Sequence, residues 1–446
     1  MKDRWTEVAP DAEQKQEEFY STWLSGKDVQ FVSDEAKSAY QERVGLIKDA
    51  IQLKQKPKRI PVCPSAGFYP VQYTGNDFYE AHYDYEILIS SWKKYHIDFQ
   101  PDAYYSPISI VSGKVLDKIN YKLYKWAGRG VANEKTIQYV EGEYMKADEY
   151  RDFIDDPTGY MINVYLPRVA GTFEPLKQFP LLPIQLEVPT VPVGLAPFTS
   201  PEMKEMLNSL AEAGEESVKW LGYLRRLVMG VLAEGIPAMY GGFSKAPFDA
   251  IGDTMRGTMG VLMDLYKHPD ELLESCEKMV PFMIKSAIPT CRANGNPLVF
   301  MPLHKGADAF MSIDQFNKFY WPTLKKVIIG LINEGLVPFL FAEGGYNKRL
   351  EAIKDLPRGT VLWLFDQTDM VQAKEILGDT ACIMGNVPLS ILCTGKPGDV
   401  EARCKDLIDT IGGDGGYIMS TGAGLDGTKA ENVRALIEYT KSYGAT

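Results

Sequence analysis

The chain has 446 residues, 45% of them hydrophobic and 24% charged, which is enough for two or three domains or for one elaborated barrel. Its formal net charge of -11 argues against nucleic acid or an anionic membrane as the main partner. The six cysteines form no Cys-x-x-Cys pair, no run of about 18 apolar residues occurs, and segment 1–17 is too polar for a signal peptide. We therefore expect a cytoplasmic protein without disulfide bonds or membrane spans.

Residues 1–56 are predicted to form a helical extension. Amphipathic patterns cover residues 13–24 and 34–53, and Pro57 ends the second of them. Beyond this proline, short apolar runs alternate with longer amphipathic ones, which is the pattern of βαβ units around a parallel sheet.

Eight apolar runs are strand candidates, and helical patterns separate most of them. The predicted strands cover residues 59–64, 102–106, 236–240, 298–303, 337–342, 360–365, 381–385 and 416–420. Eight strands with intervening helices favour an α/β fold of the (β/α)8 or TIM-barrel type over residues 57–446. An open parallel sheet is the alternative that the pattern leaves open.

One connection is far longer than the rest, because residues 107–235 separate the second predicted strand from the third. Since this insertion follows a strand, it should lie at the carboxyl face of the barrel. A long ordered insertion there commonly forms a lid, or a surface for substrate selection or partner binding. Passive packing on the side of the barrel is the alternative.

Polar residues follow the strands in the second half of the chain. His304 ends the fourth strand, Glu343 the fifth and Asp366 the sixth. Barrel enzymes place catalytic groups at these ends, so all three are candidate acids, bases or metal ligands. The alternatives are a hydrogen-bonded histidine near the core and carboxylates that cap helices, with Asp369 a candidate N-cap for the helix starting near Met370.

Aromatic residues crowd the ends of the first two strands. Tyr69 follows the first strand, while Tyr104 and Tyr105 end the second, directly before Ser106. An aromatic rim suits a planar, apolar substrate, although core packing explains the neighbouring helical aromatics nearly as well. Together with Asn386 after the seventh strand, these residues form the predicted substrate site.

Several short motifs in a fixed order resemble the uroporphyrinogen decarboxylase superfamily, which includes zinc-dependent corrinoid methyltransferases. They are Lys58-Arg59-Ile-Pro-Val62, Ala246-Pro247-Phe248-Asp249, Gly385-Asn386-Val-Pro388, Ser420-Thr-Gly-Ala-Gly424 and Glu431-Asn432-Val433-Arg434-Ala435-Leu436. The resemblance covers roughly residues 35–110 and 235–442, and it too implies a (β/α)8 barrel.

The chain departs from the decarboxylases where they bind the carboxylates of their substrate. The segment after the first strand, residues 63–69, contains no arginine, and Ser106 is followed by Pro107 rather than by a catalytic aspartate. Unpaired carboxylates are costly to bury, so the sequence argues against porphyrinogen decarboxylation.

The chain also departs from the thiol-specific methyltransferases, which bind zinc through a His-x-Cys pair and a further cysteine. Phe341, Glu343 and Ala423 stand at those positions. The resemblance then implies a zinc site of oxygen and nitrogen ligands, formed by Glu343, His304 and Asp366. Such a site suits methyl transfer from an ether, in which the leaving oxygen needs a proton or a Lewis acid.

The leading hypothesis is the substrate-side methyltransferase of an anaerobic O-demethylase. It would move a methyl group from a small methoxylated, aromatic substrate to the Co(I) corrinoid of a partner protein, with His304, Glu343 and Asp366 as catalytic residues and zinc as a cofactor. The alternatives are a decarboxylase-like lyase acting on a small carboxylate and a non-catalytic binding protein. A homodimer is compatible with the sequence but is not required by it.

Overall fold

A six-stranded parallel sheet forms the centre of the fold. The computed structural model describes residues 5–107, 110–179 and 187–445. The strands in those ranges are β1 (Tyr124–Ala127), β2 (Gly130–Val131), β3 (Gln138–Tyr139), β4 (Gly242–Phe243), β5 (Leu298–Leu303), β6 (Val337–Ala342), β7 (Leu362–Phe365), β8 (Cys382–Met384) and β9 (Tyr417–Ile418). The parallel sheet has the order β4-β5-β6-β7-β8-β9, and strands β1 to β3 form a separate small sheet in the order β2-β1-β3.

Hydrogen bonds extend the parallel sheet beyond its two outer strands. Val62 forms a parallel bridge with Met419, and Tyr104 forms one with Ala238. The N–H of Asp102 donates to the carbonyl of Val62 at 2.9 Å, which joins the two bridged segments. The result is a mixed α/β fold with a parallel sheet, consistent with the predicted (β/α)8 arrangement.

The predicted strands match the observed ones in the middle of the sheet, whereas the first three predicted segments are not regular strands. Strands β5 to β8 lie inside predicted runs because a parallel strand buried on both faces reads as a continuous apolar segment. Only isolated bridges occur in the predicted segments 59–64, 102–106 and 236–240. Strand β4 begins two residues beyond the third of these segments.

Helices alternate with the strands of the parallel sheet. In the first half of the chain they are α1 (Ala12–Ser25), α2 (Asp34–Gln52), α3 (Tyr69–Tyr73), α4 (Phe78–Tyr83), α5 (Tyr85–Phe99), α6 (Gly113–Lys118), α7 (Tyr150–Asp155), α8 (Pro157–Tyr160), α9 (Leu166–Val169), α10 (Val191–Leu195) and α11 (Pro201–Ala233). In the second half they are α12 (Pro247–Thr254), α13 (Gly257–Lys267), α14 (Pro269–Asn294), α15 (Ile313–Gln315), α16 (Trp321–Asn333), α17 (Leu350–Ile353), α18 (Met370–Leu377), α19 (Leu389–Thr394), α20 (Pro397–Ile411) and α21 (Ala430–Tyr443). Short 3-10 helices cover Ala147–Glu149, Gly171–Gln178 and Ala196–Thr199, and π-helical turns cover Met161–Tyr165 and Phe316–Tyr320.

The two N-terminal helices share the main hydrophobic core. Tyr20 and Trp23 of α1 and Val44 and Ile47 of α2 are buried in the same cluster as the central strands. Helix α2 begins at a Ser33 cap, whose Oγ accepts the N–H of Ala36 at 3.2 Å. The predicted extension is therefore helical, and it packs as part of one core. No helix in the described ranges is long and apolar enough to cross a lipid bilayer.

The long insertion packs on the connection that follows β4. Residues 108–109 and 180–186 of the insertion lie outside the described residues. Elsewhere, Tyr139 and Tyr165 donate their hydroxyls to the carbonyls of Asp253 and Thr254, at 2.5 and 3.0 Å. The N–H of Met145 also donates to the carbonyl of Met255 at 2.8 Å. The insertion is therefore hydrogen-bonded to three consecutive residues at the end of helix α12.

A buried ion-pair network joins the first two predicted strands. Asp102 is fully buried, and Arg59 binds both its carboxylate oxygens at 2.7 Å, while the N–H of Val62 donates to Oδ2 at 2.8 Å. Arg43 and Lys441 lie further away, at 3.7 and 3.9 Å. Burial alone would raise the pKa of Asp102, but the hydrogen bonds and charge of Arg59 lower it.

We predict that Asp102→Ala lowers the free energy of unfolding by about 3–5 kcal/mol, because it removes the fully buried carboxylate that Arg59 binds through two hydrogen bonds. Urea denaturation at neutral pH measures the change. The matched control is Asp406→Ala, which removes an exposed ion pair with Arg403 and should cost less than about 1 kcal/mol. The contribution of Asp102 is present above its unfolded pKa and is lost as the pH falls through the lowered folded pKa. A difference between wild type and Asp102→Ala that grew in acid would contradict this assignment.

Candidate active site

Helix α12 carries the two carboxylates around which the site is formed. It follows β4 after a short connection, and Pro247 occupies its first turn, where a missing N–H costs nothing. Asp249 and Asp253 are four residues apart on this helix and therefore lie on one face, which points towards the end of β5.

Asp249 holds the backbone at the end of β5. Its Oδ2 accepts the N–H of His304 at 3.0 Å and the hydroxyl of Tyr320 at 2.7 Å, and its Oδ1 accepts the N–H of Lys305 at 3.0 Å. Burial and the charge of Asp253 raise the pKa of Asp249, while the hydrogen bonds from its three donors stabilise the ionised form. Asp249 thus fixes where the side chains of His304 and Lys305 begin.

Asp253 binds the cationic side chains of the site. Its Oδ2 lies 2.6 Å from Nδ1 of His304 and also contacts Nζ of Lys245, while Oδ1 accepts from Nζ of Lys305 at 2.7 Å. Burial would raise the pKa of Asp253, but the hydrogen bond from His304 and the charges of the two lysines lower it strongly. The carboxylate is therefore ionised at neutral pH.

His304 is oriented by Asp253 and is open on its other side. Because an ionised carboxylate only accepts hydrogen bonds, Nδ1 of His304 carries the hydrogen that Asp253 accepts. The other ring nitrogen, Nε2, lies 3.6 Å from Oε1 of Glu343. Burial lowers the pKa of His304, but the hydrogen bond and charge of Asp253 and the charges of Glu343 and Asp249 together outweigh it, so the net shift is upward. The side chain keeps 35% of its surface exposed. An aspartate-oriented histidine of this kind can donate or accept a proton at Nε2.

Glu343 and Asp366 lie beside this dyad at the ends of β6 and β7. Burial raises the pKa of both carboxyl groups, and the charge of Asp366 raises the pKa of Glu343 further. Gly344 has a positive φ of 75°, and its N–H donates to Oδ2 of Asp366 at 3.1 Å. At Gly422, a Cβ would stand 2.9 Å from Oδ1 of Asp366, so only glycine fits there. Asp369, by contrast, caps α18 as predicted, by accepting the N–H of Val371 at 2.9 Å.

The three predicted metal ligands do not form a metal site in this structure. Within the described ranges, no group of three or more His, Cys, Asp or Glu side chains is arranged to hold a metal ion. Nδ1 of His304 is engaged by Asp253, and Oδ2 of Asp366 is engaged by Gly344. Only Nε2 of His304 and the carboxylate of Glu343 face one another, and two donors are too few for a zinc centre.

The predicted aromatic rim lies in the core rather than at the site. Tyr69, Tyr104 and Tyr105 are each almost completely buried. Tyr69 packs against Tyr95 with ring centroids 5.8 Å apart, and Tyr104 packs edge-on against His96 at 5.4 Å. Helix α5 supplies both partners, and Tyr104 also lines a cavity beside β4.

The two remaining predicted substrate residues, Asn386 and Ser106, have different surroundings. Asn386 is buried and donates through Nδ2 to the carbonyls of Asp366 and Thr368, at 3.0 and 2.8 Å, so it joins the connections after β7 and β8. Ser106 lines a cavity beside β4, and none of the predicted catalytic residues lines that cavity.

Sequence reasoning missed three charged residues of the site, Lys245, Asp253 and Lys305. Two signals were present: Lys305 directly follows His304, and Asp253 lies one helical turn after the aspartate of the Ala246-Pro247-Phe248-Asp249 motif. The insertion contributes as well, because Tyr139 donates its hydroxyl to the carbonyl of Asp253 at 2.5 Å, and Tyr124 packs against the ring of Tyr139. Two aromatic residues of the insertion are thereby held near the last turn of α12.

Arg349 was also missed, and it acts as a support. Its side chain is fully buried and donates to the carbonyls of Gly306 and Ala307, at 3.1 and 3.3 Å, and to that of Met311. These bonds hold the loop that follows His304 and Lys305.

Known proteins resemble this chain in sequence. A family model described as "Uroporphyrinogen decarboxylase (URO-D)" matches residues 183–443. The uroporphyrinogen decarboxylase of Coxiella burnetii is 23% identical over 330 residues, covering 69% of this chain and 90% of the relative. That of Saccharophagus degradans is 25% identical over 291 residues, covering 60% and 80%. The resemblance inferred from the motifs is confirmed.

A solved structure of a methyltransferase from Methanosarcina mazei is similar in fold. The TM-score is 0.56 at 15% sequence identity, and the match covers 91% of this chain and 98% of that chain. At this identity the similarity concerns the fold alone.

We predict that Asp253→Asn lowers the pKa of His304. An amide keeps the shape of the carboxylate but removes the charge that stabilises the imidazolium. The titration of the His304 ring protons, followed by NMR, measures the change. The control is Asp314→Asn, on the exposed first turn of α15, which should leave the titration unaltered. An unchanged or higher pKa in Asp253→Asn would show that Asp253 does not control the histidine.

Proposed function

Because the chain belongs to the uroporphyrinogen decarboxylase family, we propose that its barrel-type scaffold serves as a methyltransferase for a methoxylated donor. The methyl group of a small, aromatic methyl ether is transferred to the Co(I) corrinoid of a partner protein. The observation that carries the proposal is the dyad of Asp253 and His304, whose Nε2 faces the open side of the site.

The leaving oxygen is the chemical difficulty in this reaction. Methyl transfer would break the C–O bond of the donor and leave both of its electrons on oxygen, with the corrinoid of the partner protein supplying the nucleophile. A phenoxide or alkoxide is stabilised by a proton delivered as the charge develops. The upward shift in the pKa of His304 keeps a larger fraction of imidazolium available to deliver it.

Asp253 and the lysines keep the proton on the histidine. Lys245 and Lys305 hold the pKa of Asp253 low, so the aspartate stays ionised and stabilises the imidazolium without taking its proton. After transfer, the neutral His304 is reprotonated from solvent, to which a third of its surface is open. Glu343, 3.6 Å from Nε2, is placed to orient the donor oxygen or to pass that proton.

The surroundings of the dyad suit an aromatic donor. Tyr139 donates its hydroxyl to the carbonyl of Asp253, and Tyr124 packs edge-on against Tyr139, with ring centroids 5.4 Å apart. Rings in such arrangements favour a further planar ring at their faces or edges. This insertion surface replaces the rim expected from the strand ends.

A decarboxylase-like lyase is the second candidate, and the names of the relatives favour it. The quoted curated relatives are uroporphyrinogen decarboxylases. In a lyase, His304 would protonate the carbanion left by loss of carbon dioxide. Against a substrate with many carboxylates stands the segment 63–69, which contains no arginine, and the engagement of both site lysines by Asp253.

The decisive experiment mixes the protein with a reduced corrinoid protein and a panel of methoxyarenes and follows the absorbance change of corrinoid methylation. We expect methylation with at least one donor, a rate that falls as the pH rises through the pKa of His304, and a loss of about 10²–10⁴-fold in His304→Asn. His268→Asn, a histidine outside the site, is the control and should keep the wild-type rate. Release of carbon dioxide from a small acid, without methylation by any donor, would reject the proposal in favour of the lyase.

Zinc content separates a proton donor from a Lewis acid. With two facing donors in place of three ligands, we expect the purified protein to keep its activity in the presence of a chelator. Metal analysis of wild type and Glu343→Gln accompanies the assay. Activity that is lost on chelation and restored by zinc alone would return Glu343 and His304 to the role of ligands.

A further inference from the structure

A large cavity lies beside β4, behind the site. It has a volume of about 950 Å³ and lies between helices α11 and α14, next to the segment that runs from Ala238 to Lys245. None of His304, Glu343 and Asp366 lines it. Its volume is at the upper end of the range of about 300–1,000 Å³ that small-molecule sites occupy.

The body of the cavity is apolar. Its walls come from the π-helical turn Met161–Tyr165 and from α7, α11 and α14, and include Phe153, Met161, Ile162, Val228, Leu232, Met279 and Met283. Phe243 and Phe282 line the cavity and are 45% and 46% exposed, so they mark its opening. Methionine side chains adapt to ligands of different shape because they are unbranched and polarizable.

The cavity has one charged end. Among the described residues that line it, Lys245 is the only one with a charged side chain. Its Nζ contacts Oδ2 of Asp253, a carboxylate that Lys305 also binds through Oδ1 and that His304 binds through Oδ2. Lys245 can therefore turn to an anion in the cavity while Asp253 remains paired with two other cations.

We propose that this cavity binds an amphipathic carboxylate, a molecule with a long apolar body and one anionic head. The body would fill the methionine-rich space between α11 and α14, where it removes apolar surface from water. The head would bind Nζ of Lys245, since a charge-assisted hydrogen bond is stronger than a neutral one. The cavity shares Lys245 with the candidate active site, but His304, Glu343 and Asp366 do not line it, so the inference does not require methyl transfer.

The test measures binding of hexadecanoate and of hexadecan-1-ol, each below its micellar concentration, to the full chain by titration calorimetry. We expect one saturable hexadecanoate site and a weaker affinity for the alcohol, which has the same body without the charge. Lys245→Met should weaken hexadecanoate binding about 10–100-fold and leave the alcohol unchanged. Lys278→Met is the matched control, an exposed lysine of α14 that does not line the cavity, and should bind as wild type does.

Filling the cavity provides the second measurement. Met283→Trp should weaken both ligands together, because the larger side chain occupies the apolar space. Circular dichroism and the melting temperature show whether the variant folds, and Ile162→Phe from the opposite wall replaces it if it does not.

Three outcomes would overturn the proposal. They are the absence of saturable hexadecanoate binding, equal binding by wild type and Lys245→Met, and equal binding by wild type and the folded cavity-filling variant. A change in oligomeric state on filling the cavity, without ligand binding by the wild type, would assign the space to contact with a second copy of the chain.

Discussion

Two carboxylates, one helical turn apart on α12, determine the geometry of the site. Asp249 faces the backbone and accepts the N–H groups at the end of β5, whereas Asp253 faces the side chains and binds three cations. Both carboxylates are largely removed from water, so each needs hydrogen-bond donors from the protein. The position of His304 therefore follows from α12 rather than from its own strand alone.

The same pair explains why the site is suited to moving a proton. Metal ligation by His304 and Asp366 would require lone pairs directed at a common point. Here one nitrogen of the histidine is committed to Asp253, and one oxygen of Asp366 is committed to Gly344. Nε2 of His304 lies opposite Glu343, at 3.6 Å, and no three such groups converge among the described residues. Proton transfer at Nε2 needs only this single position.

The sequence predicted the features that depend on periodicity and missed those that depend on contacts between distant elements. Strands β5 to β8 could be predicted because a strand buried on both faces leaves a continuous apolar run in the sequence. Asp253 was not, because a carboxylate in an amphipathic helix reads the same whether it faces solvent or a histidine. The substrate role predicted for Tyr69 rested on a similar ambiguity. An aromatic residue near a strand end has the same sequence pattern on a rim and in a core, and in the structure Tyr69 packs against Tyr95 of α5.

The hydroxyls of Tyr139 and Tyr165 donate to the carbonyls of Asp253 and Thr254, in the last turn of α12. Those carbonyls have no partner within their own helix and would otherwise face water. We therefore expect the insertion and the last turn of α12 to be protected together in hydrogen exchange. A ligand that orders the insertion would then also order the helix that positions His304, so that ligand binding and local rigidity are thermodynamically linked.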